Sequence, residues 1–317
     1  MLLFWWLAAA RADTCEQWSD PEIVAQHDDF AVETSGIAWS RTRPDVWFTH
    51  GDRNDPGELV AFHAREGVIE RHAVTGGVNE DWEDLAAGPC PDGGDCIYIG
   101  DIGDNDADRD SVKVLVVREP EAGKAARVIQ TLEAVYPGGP RDAEALLVHP
   151  CTGRVHVVTK NDTGTATVYR FPSDGGQVLE EVGHFTLPGE SAGSRRVTGG
   201  DFDPDGDRVV IRTGDTLWEW DVDPSAPNAH WNTAPREVTK LVELQGEAVT
   251  YGPDGGLWTT SEGIPSTVSH VECLQLVASD HACDPPSSGG CGCRTGGAPG
   301  GALGVLLAML FLRRRKA

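Results

Sequence analysis

Short apolar strands recur along this chain at near-regular intervals. An apolar strand, a tight turn and a second strand ending in polar residues occur five times, and the copies start at residues 35, 83, 144, 198 and 247. Their separations of 48, 61, 54 and 49 residues match the length of one four-stranded propeller blade. Pro, Gly and Asp fill the intervening turns, where hairpins need their backbone angles. The pattern therefore predicts an all-β fold with one blade per copy.

In a propeller the first and last blades are neighbours, so closing the ring brings the two ends of the chain together. The strand-like segment 22–25 near the start is predicted to pair with residues 267–276 near the finish. Abundant Gly (38) and Trp (10) suit short strands packed face to face. We therefore expect an all-β, six-bladed β-propeller closed by N- and C-terminal strands, with the sixth blade shared between the termini.

The two ends differ in composition from the middle of the chain. Residues 1–12 are an apolar run that closes on Ala-Arg-Ala, which is typical of a secretory signal peptide; the alternative is a buried N-terminal strand. The apolar stretch 301–312 is short for a membrane span of about 20 residues, and the basic run that follows favours a cytoplasmic end. We divide the chain into signal peptide, propeller, linker with a Cys motif, and short transmembrane helix with a basic tail, at 1–12, 13–284, 285–295 and 296–317.

The C-terminal tail resembles a known sorting signal. Cys291 and Cys293 precede the short apolar stretch and its Arg-rich end, and this arrangement is similar to the MYXO-CTERM signal of myxobacteria. The resemblance implies cleavage near Cys291 or Cys293 by a processing protease of the myxosortase type. It also implies membrane association through the C-terminal helix before processing, and then anchoring at the cell surface.

Net charge excludes one class of partner. Residues 13–285 carry 20 basic and 50 acidic residues, a net charge of −30. A field of this sign repels nucleic acid and anionic lipid and attracts cations. We therefore expect no nucleic-acid partner and a calcium-rich exterior environment.

The cysteines indicate an oxidising compartment. Cys90 and Cys96 flank one hairpin turn and are expected to bridge across it. Cys273 and Cys283 bracket the last strand region and pair either with each other or with Cys15. Several connectivities remain open at this point.

A first polar position begins the innermost strand of each copy. Propeller geometry brings these five side chains to one mouth of the central channel, and they are Ser35, Glu83, Glu144, Thr198 and Glu247. One interpretation is a cation site, most simply for Ca²⁺, with Glu83, Glu144 and Glu247 as ligands. The other interpretation is structural: each side chain satisfies backbone N–H groups of the neighbouring blade.

A second polar position follows the next strand of each copy. Turn chemistry accounts for Gly, Asn and Asp there, but it does not account for the charged and imidazole groups beside them. If these groups converge, they form a ligand site at the ring mouth. The candidate ligand-binding residues are His50, Asp52, Asp101, Lys160, Arg212 and Glu262.

Two Asp-rich segments suggest calcium binding. Residues 201–207 match the opening of an EF-hand loop, but Arg212 occupies the position of its bidentate Glu, which favours a hairpin turn. Residues 101–110 contain five carboxylates, whose mutual repulsion requires neutralisation by a cation or by Arg109. Asp101 and Asp104 are therefore added to the candidate metal ligands.

Several motifs are similar to those of bacterial extracytoplasmic six-bladed propeller proteins. The matching runs lie at residues 81–86, 98–105, 141–147, 197–201 and 245–249, continuing to 260–263. The resemblance implies the propeller fold and supplies no catalytic residues.

Two functions remain open. The first is a surface-anchored binding or scaffold module for a small-molecule or cell-surface ligand, stabilised by calcium. The second is a calcium-dependent hydrolase of a phosphate ester, lactone or ester. In that enzyme Lys160 and Arg212 hold the anion, and Glu83 or Asp101 positions metal and water.

Overall fold

The computed structural model describes residues 13–31, 33–53, 55–243 and 245–278, and they form strands and turns almost throughout. The first two strands are β1 (Asp13–Trp18) and β2 (Glu22–His27). The first blade is β3 (Thr34–Trp39), β4 (Trp47–Gly51), β5 (Glu58–His63) and β6 (Gly67–Thr75). The second is β7 (Trp82–Pro89), β8 (Asp95–Asp101), β9 (Val112–Arg118) and β10 (Ala126–Ala134).

Three further blades follow. The third is β11 (Ala143–Val148), β12 (Val155–Thr159), β13 (Thr165–Arg170) and β14 (Glu180–Thr186). The fourth is β15 (Val197–Phe202), β16 (Arg208–Thr213), β17 (Thr216–Asp221) and β18 (Arg236–Lys240), with a 3-10 turn at Ala229–Asn232. The fifth is β19 (Gly246–Tyr251), β20 (Leu257–Ser261), β21 (Ser266–Val271) and, from the start of the chain, β2. The last strand is β22 (Cys273–Ala278).

The innermost strands form a closed ring. Each of β3, β7, β11 and β15 contacts the next innermost strand, and β19 contacts β3. Strands β11, β15 and β19 are buried along their whole length, whereas the outer strand β6 alternates between buried and more exposed positions. Continuous apolar runs are expected where both faces are covered, and alternation where one face meets water.

Both ends of the chain take part in closing the ring, which confirms the predicted all-β propeller with terminal closure. Segment 22–25 pairs with β21, as expected, but this pairing supplies the outer strand of the fifth blade. Strand β1 pairs with β22 in a separate two-stranded sheet. The described strands thus form five complete blades and this small sheet, instead of six complete blades, because each copy of the repeat builds one blade and β2 completes the last.

Apolar side chains fill the interfaces between neighbouring blades. Among the described residues, five hydrophobic clusters lie at the five interfaces. Trp82 packs with Phe48 between the first two blades, and Trp231 packs with Phe185 between the third and fourth. A fully buried side chain of this type contributes about 1.5–3 kcal/mol, so contacts between blades hold the ring together.

Two disulfides reinforce the described fold. Cys90 and Cys96 bridge their hairpin turn, and Cys15 pairs with Cys273 across β1 and β22. These bridges indicate an oxidising, extracytoplasmic environment. The predicted signal peptide, Cys283, the Cys motif at Cys291 and Cys293, and the C-terminal apolar stretch lie outside the described residues. Within the described part of the chain, helical structure amounts to a single short turn, and nothing helical there could span a bilayer.

Candidate functional site

The first polar position of each copy lies at a break in strand register. In four blades the pairing between the innermost strand and its neighbour skips one residue, and the skipped residues are Glu83, Glu144, Thr198 and Glu247. In the first blade a register shift follows Ser35 directly. A β-bulge turns a side chain out of the regular alternation of a strand. The repeat therefore places a bulge with a polar side chain at the start of four innermost strands, and in the first blade the register shift begins directly after the polar residue.

Five carboxylates from the first three blades gather at this end of the ring. Asp52, Asp81 and Glu83 each offer an oxygen within 4.8 Å of the others, and we call this group the first triad. Glu83, Asp142 and Glu144 meet the same criterion, and we call this group the second triad. Glu83 belongs to both triads, so the two groups form one continuous acidic site.

Glu83 is the central residue of the site and lacks a protein partner for one oxygen. Its side chain is buried, and its Oε1 has no hydrogen-bond donor. A Cβ placed on Gly103 would come within 2.0 Å of this oxygen and 2.8 Å of Asp81 Oδ2. Glycine at position 103 thus leaves the space that the two carboxylates occupy. An unpaired buried carboxylate oxygen is costly, and a bound cation would remove that cost.

Lys160 places its ammonium group against the carboxylates of the second triad. Its Nζ contacts Glu144 Oε1 and lies 4.0 Å from Asp142 Oδ2, and its backbone N–H donates to Asp142 O at 3.0 Å. Burial lowers the pKa of Lys160, but the charges of Glu144, Asp142 and Glu83 outweigh burial and raise that pKa above its usual value. Lys160 is therefore a firmly charged partner of these carboxylates.

The carboxylates that share this site are hard to ionise. Burial, followed by the charges of Glu144, Asp52 and Asp81, raises the pKa of Glu83 well above its usual range. Burial likewise raises the pKa of Glu144 to about 7 and that of Asp81 to about 6. Like charges in a desolvated site disfavour ionisation, so a cation binding here would compete with protons.

Two further glutamates of the sequence prediction lie near these triads. Burial and then the charges of Glu144 and Glu262 raise the pKa of Glu247 to about 8. Burial and then the Asp52 charge raise the pKa of Glu262 to about 7. Both glutamates therefore share the electrostatic field of the acidic site without belonging to either triad.

The sequence suggested that the first polar position accepts backbone N–H groups of neighbouring blades. In the structure, aspartates in the same innermost strands do so. Asp84 accepts backbone N–H groups from Leu85 at 2.8 Å, Leu146 at 2.9 Å and Gly200 at 3.2 Å, and so ties three blades together. Asp201 accepts the Thr250 hydroxyl at 2.8 Å and the Tyr251 N–H at 3.2 Å. Neither aspartate was among the predicted site residues.

Other predicted residues stabilise the surroundings of the triads. Asp101 forms an ion pair with Arg109 at 2.9 Å and accepts the Asp81 N–H at 3.1 Å. Asp104 accepts the N–H groups of Asp108 and Arg109, and its own N–H donates to Asp142 at 2.8 Å. Both aspartates therefore organise the acidic loop, and neither is a member of the triads.

His50 and Arg212 lie buried away from solvent. His50 Nδ1 lies 2.9 Å from Gly51 O, and burial lowers the pKa of His50 to about 4, so the imidazole is neutral at pH 7. The Arg212 guanidinium is engaged by the Glu243 carboxylate and donates to Ala248 O at 2.8 Å and Thr260 O at 3.0 Å. These contacts give Arg212 a structural role between the fourth and fifth blades.

Sequence reasoning missed Asp81 and Asp142, although a signal was present. Each lies two residues before a triad glutamate, in the runs Asp81-Trp82-Glu83 and Asp142-Ala143-Glu144. Asn79 was also missed. Its amide donates to Gly51 O at 3.1 Å and Asp52 O at 2.9 Å, which holds the loop that carries Asp52 beside β7.

Comparisons with known proteins concern the architecture alone. No protein-family model and no curated protein matches the sequence. Among solved structures, the chain is similar to a glucose dehydrogenase at 10% identity and a TM-score of 0.47, covering 80% of this chain and 99% of that one. Soluble aldose sugar dehydrogenase from Escherichia coli matches over the same shares at 11% identity and a TM-score of 0.47. A glucose dehydrogenase from Thermus thermophilus, also over 80% of this chain and 99% of that one, has 12% identity and a TM-score of 0.43. Likeness at this level carries no argument about activity.

Proposed function

We propose that the protein is a cell-surface propeller module whose channel mouth binds one Ca²⁺ ion, and that the bound ion completes its ligand-binding face. The observation that carries the proposal is Glu83 Oε1, which is buried without a donor in the first triad. All the side-chain donors in that triad are carboxylate oxygens. Calcium takes six to eight oxygen ligands, so Asp52, Asp81 and Glu83 would hold it together with water and backbone carbonyls.

The charge of the site favours a divalent cation over a neutral or anionic ligand. Among the described residues, the first triad has one ion pair, between Arg53 and Asp81 at 3.6 Å, and the Arg53 side chain is 45% exposed. One divalent ion would compensate most of the remaining negative charge. Neither triad contains a His or Cys ligand, which favours calcium over zinc or copper.

The surface location rests on the sequence features of the two ends. An export signal at residues 1–12 and a sorting tail around Cys291 and Cys293 would deliver residues 13–284 to the outside of the cell, where calcium is abundant. The two disulfides support this location. The ligand of the module would be a small molecule or a cell-surface component that meets the acidic mouth.

A calcium titration followed by differential scanning calorimetry tests the proposal. Calcium at 100 times its Kd would stabilise the protein by about 2.7 kcal/mol, and EGTA would reverse the rise in Tm. Glu83→Gln should lose most of this response while its metal-free Tm stays equal or rises, because the variant removes an unpaired buried charge. Glu180→Gln, on the outer strand β14, is the matched control and should respond like the native protein. A flat response of the native protein would refute the proposal.

A calcium-dependent hydrolase is the second candidate, and the two buried carboxyls of Glu247 and Glu262 favour it. Their raised pKa values of about 8 and 7 would make them proton donors near neutral pH, within the electrostatic field of the acidic site. Lys160 would then hold the anionic group, whereas Arg212 is engaged elsewhere. Turnover of p-nitrophenyl phosphate, a p-nitrophenyl ester or a lactone should require calcium, and Glu262→Gln should lower kcat by about 100-fold or more. Equal rates with EGTA would exclude this enzyme.

A further inference from the structure

We infer that Lys160 is the built-in cation of the second triad and limits the channel mouth to one divalent ion. This inference rests on the proposed calcium site and names the residue that sets its stoichiometry. Without the lysine, the second triad would become a second calcium position that shares Glu83 with the first.

The geometry of the two triads is alike except for the lysine. Each has three carboxylates with oxygens within 4.8 Å of one another, and Glu83 is common to both. In the second triad the ammonium group contacts Glu144 and lies 4.0 Å from Asp142. In the first triad the ion-pair partner is Arg53, which lies 3.6 Å from Asp81 and has a side chain that is 45% exposed. The charge of the second triad is thus compensated in part by a half-buried lysine of the protein, whereas the first triad depends on a cation from solution.

The position of Lys160 is fixed by its backbone as well as by its charge. Its N–H donates to Asp142 O, so the strand end that carries the lysine is bound to the segment that carries a ligand of the second triad. Its side chain is 23% exposed, and that of Glu144 is 4% exposed. A tethered ammonium in a partly desolvated site does not lose translational entropy on binding, so it competes well against an ion from solution.

Repulsion between cations gives the same result. Lys160 already places one cation in contact with the Glu144 carboxylate. A second divalent ion beside the ammonium would place two cations around one carboxylate group of Glu144 in a site of low polarity. Like charges at such distances repel strongly, so a second ion is excluded while the lysine is in place.

Equilibrium dialysis of radioactive calcium at pH 8 against the full chain measures the stoichiometry. We expect one ion per native protein, two per Lys160→Met protein and two per Lys160→Gln protein. Lys113→Met is the matched control, because Lys113 is 28% exposed and forms a single ion pair with Glu80 at 3.1 Å; it should bind one ion. Adding Glu144→Gln to Lys160→Met should return the number to one.

The outcomes separate this inference from the proposed function. No bound ion in the native protein contradicts the calcium site itself, and circular dichroism confirms that each variant tested is folded. One bound ion in the native protein and one in both lysine variants would contradict the role of Lys160 and leave the calcium site standing. Two bound ions in the native protein would contradict the role of Lys160 in the same way. Should the variants not fold, acetylation of native Lys160 followed by mass spectrometry decides: calcium is expected to leave its rate unchanged, and acceleration by calcium would show that an ion displaces the lysine.

Discussion

Two neighbouring residues of β7 have different roles, because the bulge at the start of this strand turns their side chains in different directions. Glu83 turns toward the acidic site and keeps an oxygen without a protein donor. Asp84 turns toward the ring interior and accepts three backbone N–H groups. An acid whose oxygens are satisfied by the chain stabilises the fold, whereas one left unsatisfied is available to a ligand.

Replacing Asp84 by alanine tests the structural half of this division. Three buried N–H groups would lose their acceptor, at about 1–3 kcal/mol each, so Asp84→Ala should lower the free energy of unfolding by about 3 kcal/mol or more. Urea unfolding monitored by tryptophan fluorescence measures the change. Glu83→Gln in the same strand serves as control and should be nearly neutral in the absence of calcium. A loss of stability below about 1 kcal/mol in Asp84→Ala would show that the three donors find water instead.

Gly103 offers a test of the calcium site that leaves every charge in place. An added methyl group would lie 2.0 Å from Glu83 Oε1 and 2.8 Å from Asp81 Oδ2, so the two carboxylates would have to move apart. We expect Gly103→Ala to raise the calcium Kd at least about tenfold, which corresponds to about 1.4 kcal/mol, in isothermal titration calorimetry. Gly193→Ala is the control, because its methyl group would meet only Ser191 Oγ at 3.8 Å. Unchanged affinity in Gly103→Ala would place the ion elsewhere.

At the level of strands, the repeat in the sequence predicted the blades well because it reflects local physics. Apolar runs, Pro-Asp-Gly turns and spacing depend on neighbours along the chain, and they located the innermost strands of all five blades. The bulges were invisible to the same reasoning. A skipped residue changes the register of two strands without changing the composition of either, so the direction of Glu83 and Glu144 could be learned only from the paired strands.

Strand β1 is joined to β22 by a disulfide and to the fourth blade by contacts with Arg208 and Arg236. Arg208 and Arg236 both contact the buried carboxylate of Glu219, and Arg236 Nη2 donates to Cys15 O at 3.0 Å in β1. Tyr251 donates its hydroxyl to Glu219 at 2.7 Å. Strand β1 is thereby fastened to the fourth blade while Cys15 links it to Cys273 in β22.

The two disulfides should contribute unequally to stability. Cys15 and Cys273 are separated by 258 residues, and Cys90 and Cys96 by 6. In the loop-entropy description, closing the longer loop stabilises the fold by about 3 kcal/mol more than closing the shorter one. The double variant Cys15→Ser, Cys273→Ser should therefore lose more of its Tm than Cys90→Ser, Cys96→Ser. Equal losses in scanning calorimetry would mean that the ion pairs around Glu219 already hold the ends together.

At the scale of the whole molecule, ring size and the acidic site were harder to predict than the blades. Sequence spacing could not decide whether segment 22–25 begins a sixth blade or completes the fifth, since both use the same pairing with β21. The carboxylates of the acidic site were hard to predict because they lie far apart in the sequence. Asp52, Glu83 and Asp142 come from three consecutive blades, so they meet only once those blades have packed against one another.

The assembled charge makes stability depend on pH in a direction opposite to that of ordinary salt-bridged carboxylates. Folding raises the pKa of Glu247 from 4.5 to about 8 and that of Glu262 from 4.5 to about 7. Between these values the folded protein binds more protons than the unfolded chain, so stability falls as pH rises. The metal-free protein in EDTA should thus be more stable at pH 5 than at pH 8, and the loss should be concentrated between pH 5 and pH 8.

Urea unfolding across this range, with and without calcium, measures the effect. Calcium should restore stability at pH 8 and have little effect at pH 5, because protons then occupy the carboxyls that the ion needs ionised. Glu247→Gln removes the group with the highest of these pKa values and should flatten the metal-free profile between pH 6 and pH 8. If the stability of the metal-free protein rose steadily from pH 5 to pH 8, other ion pairs would control its pH dependence. The acidic site would then have little effect on the free energy of unfolding.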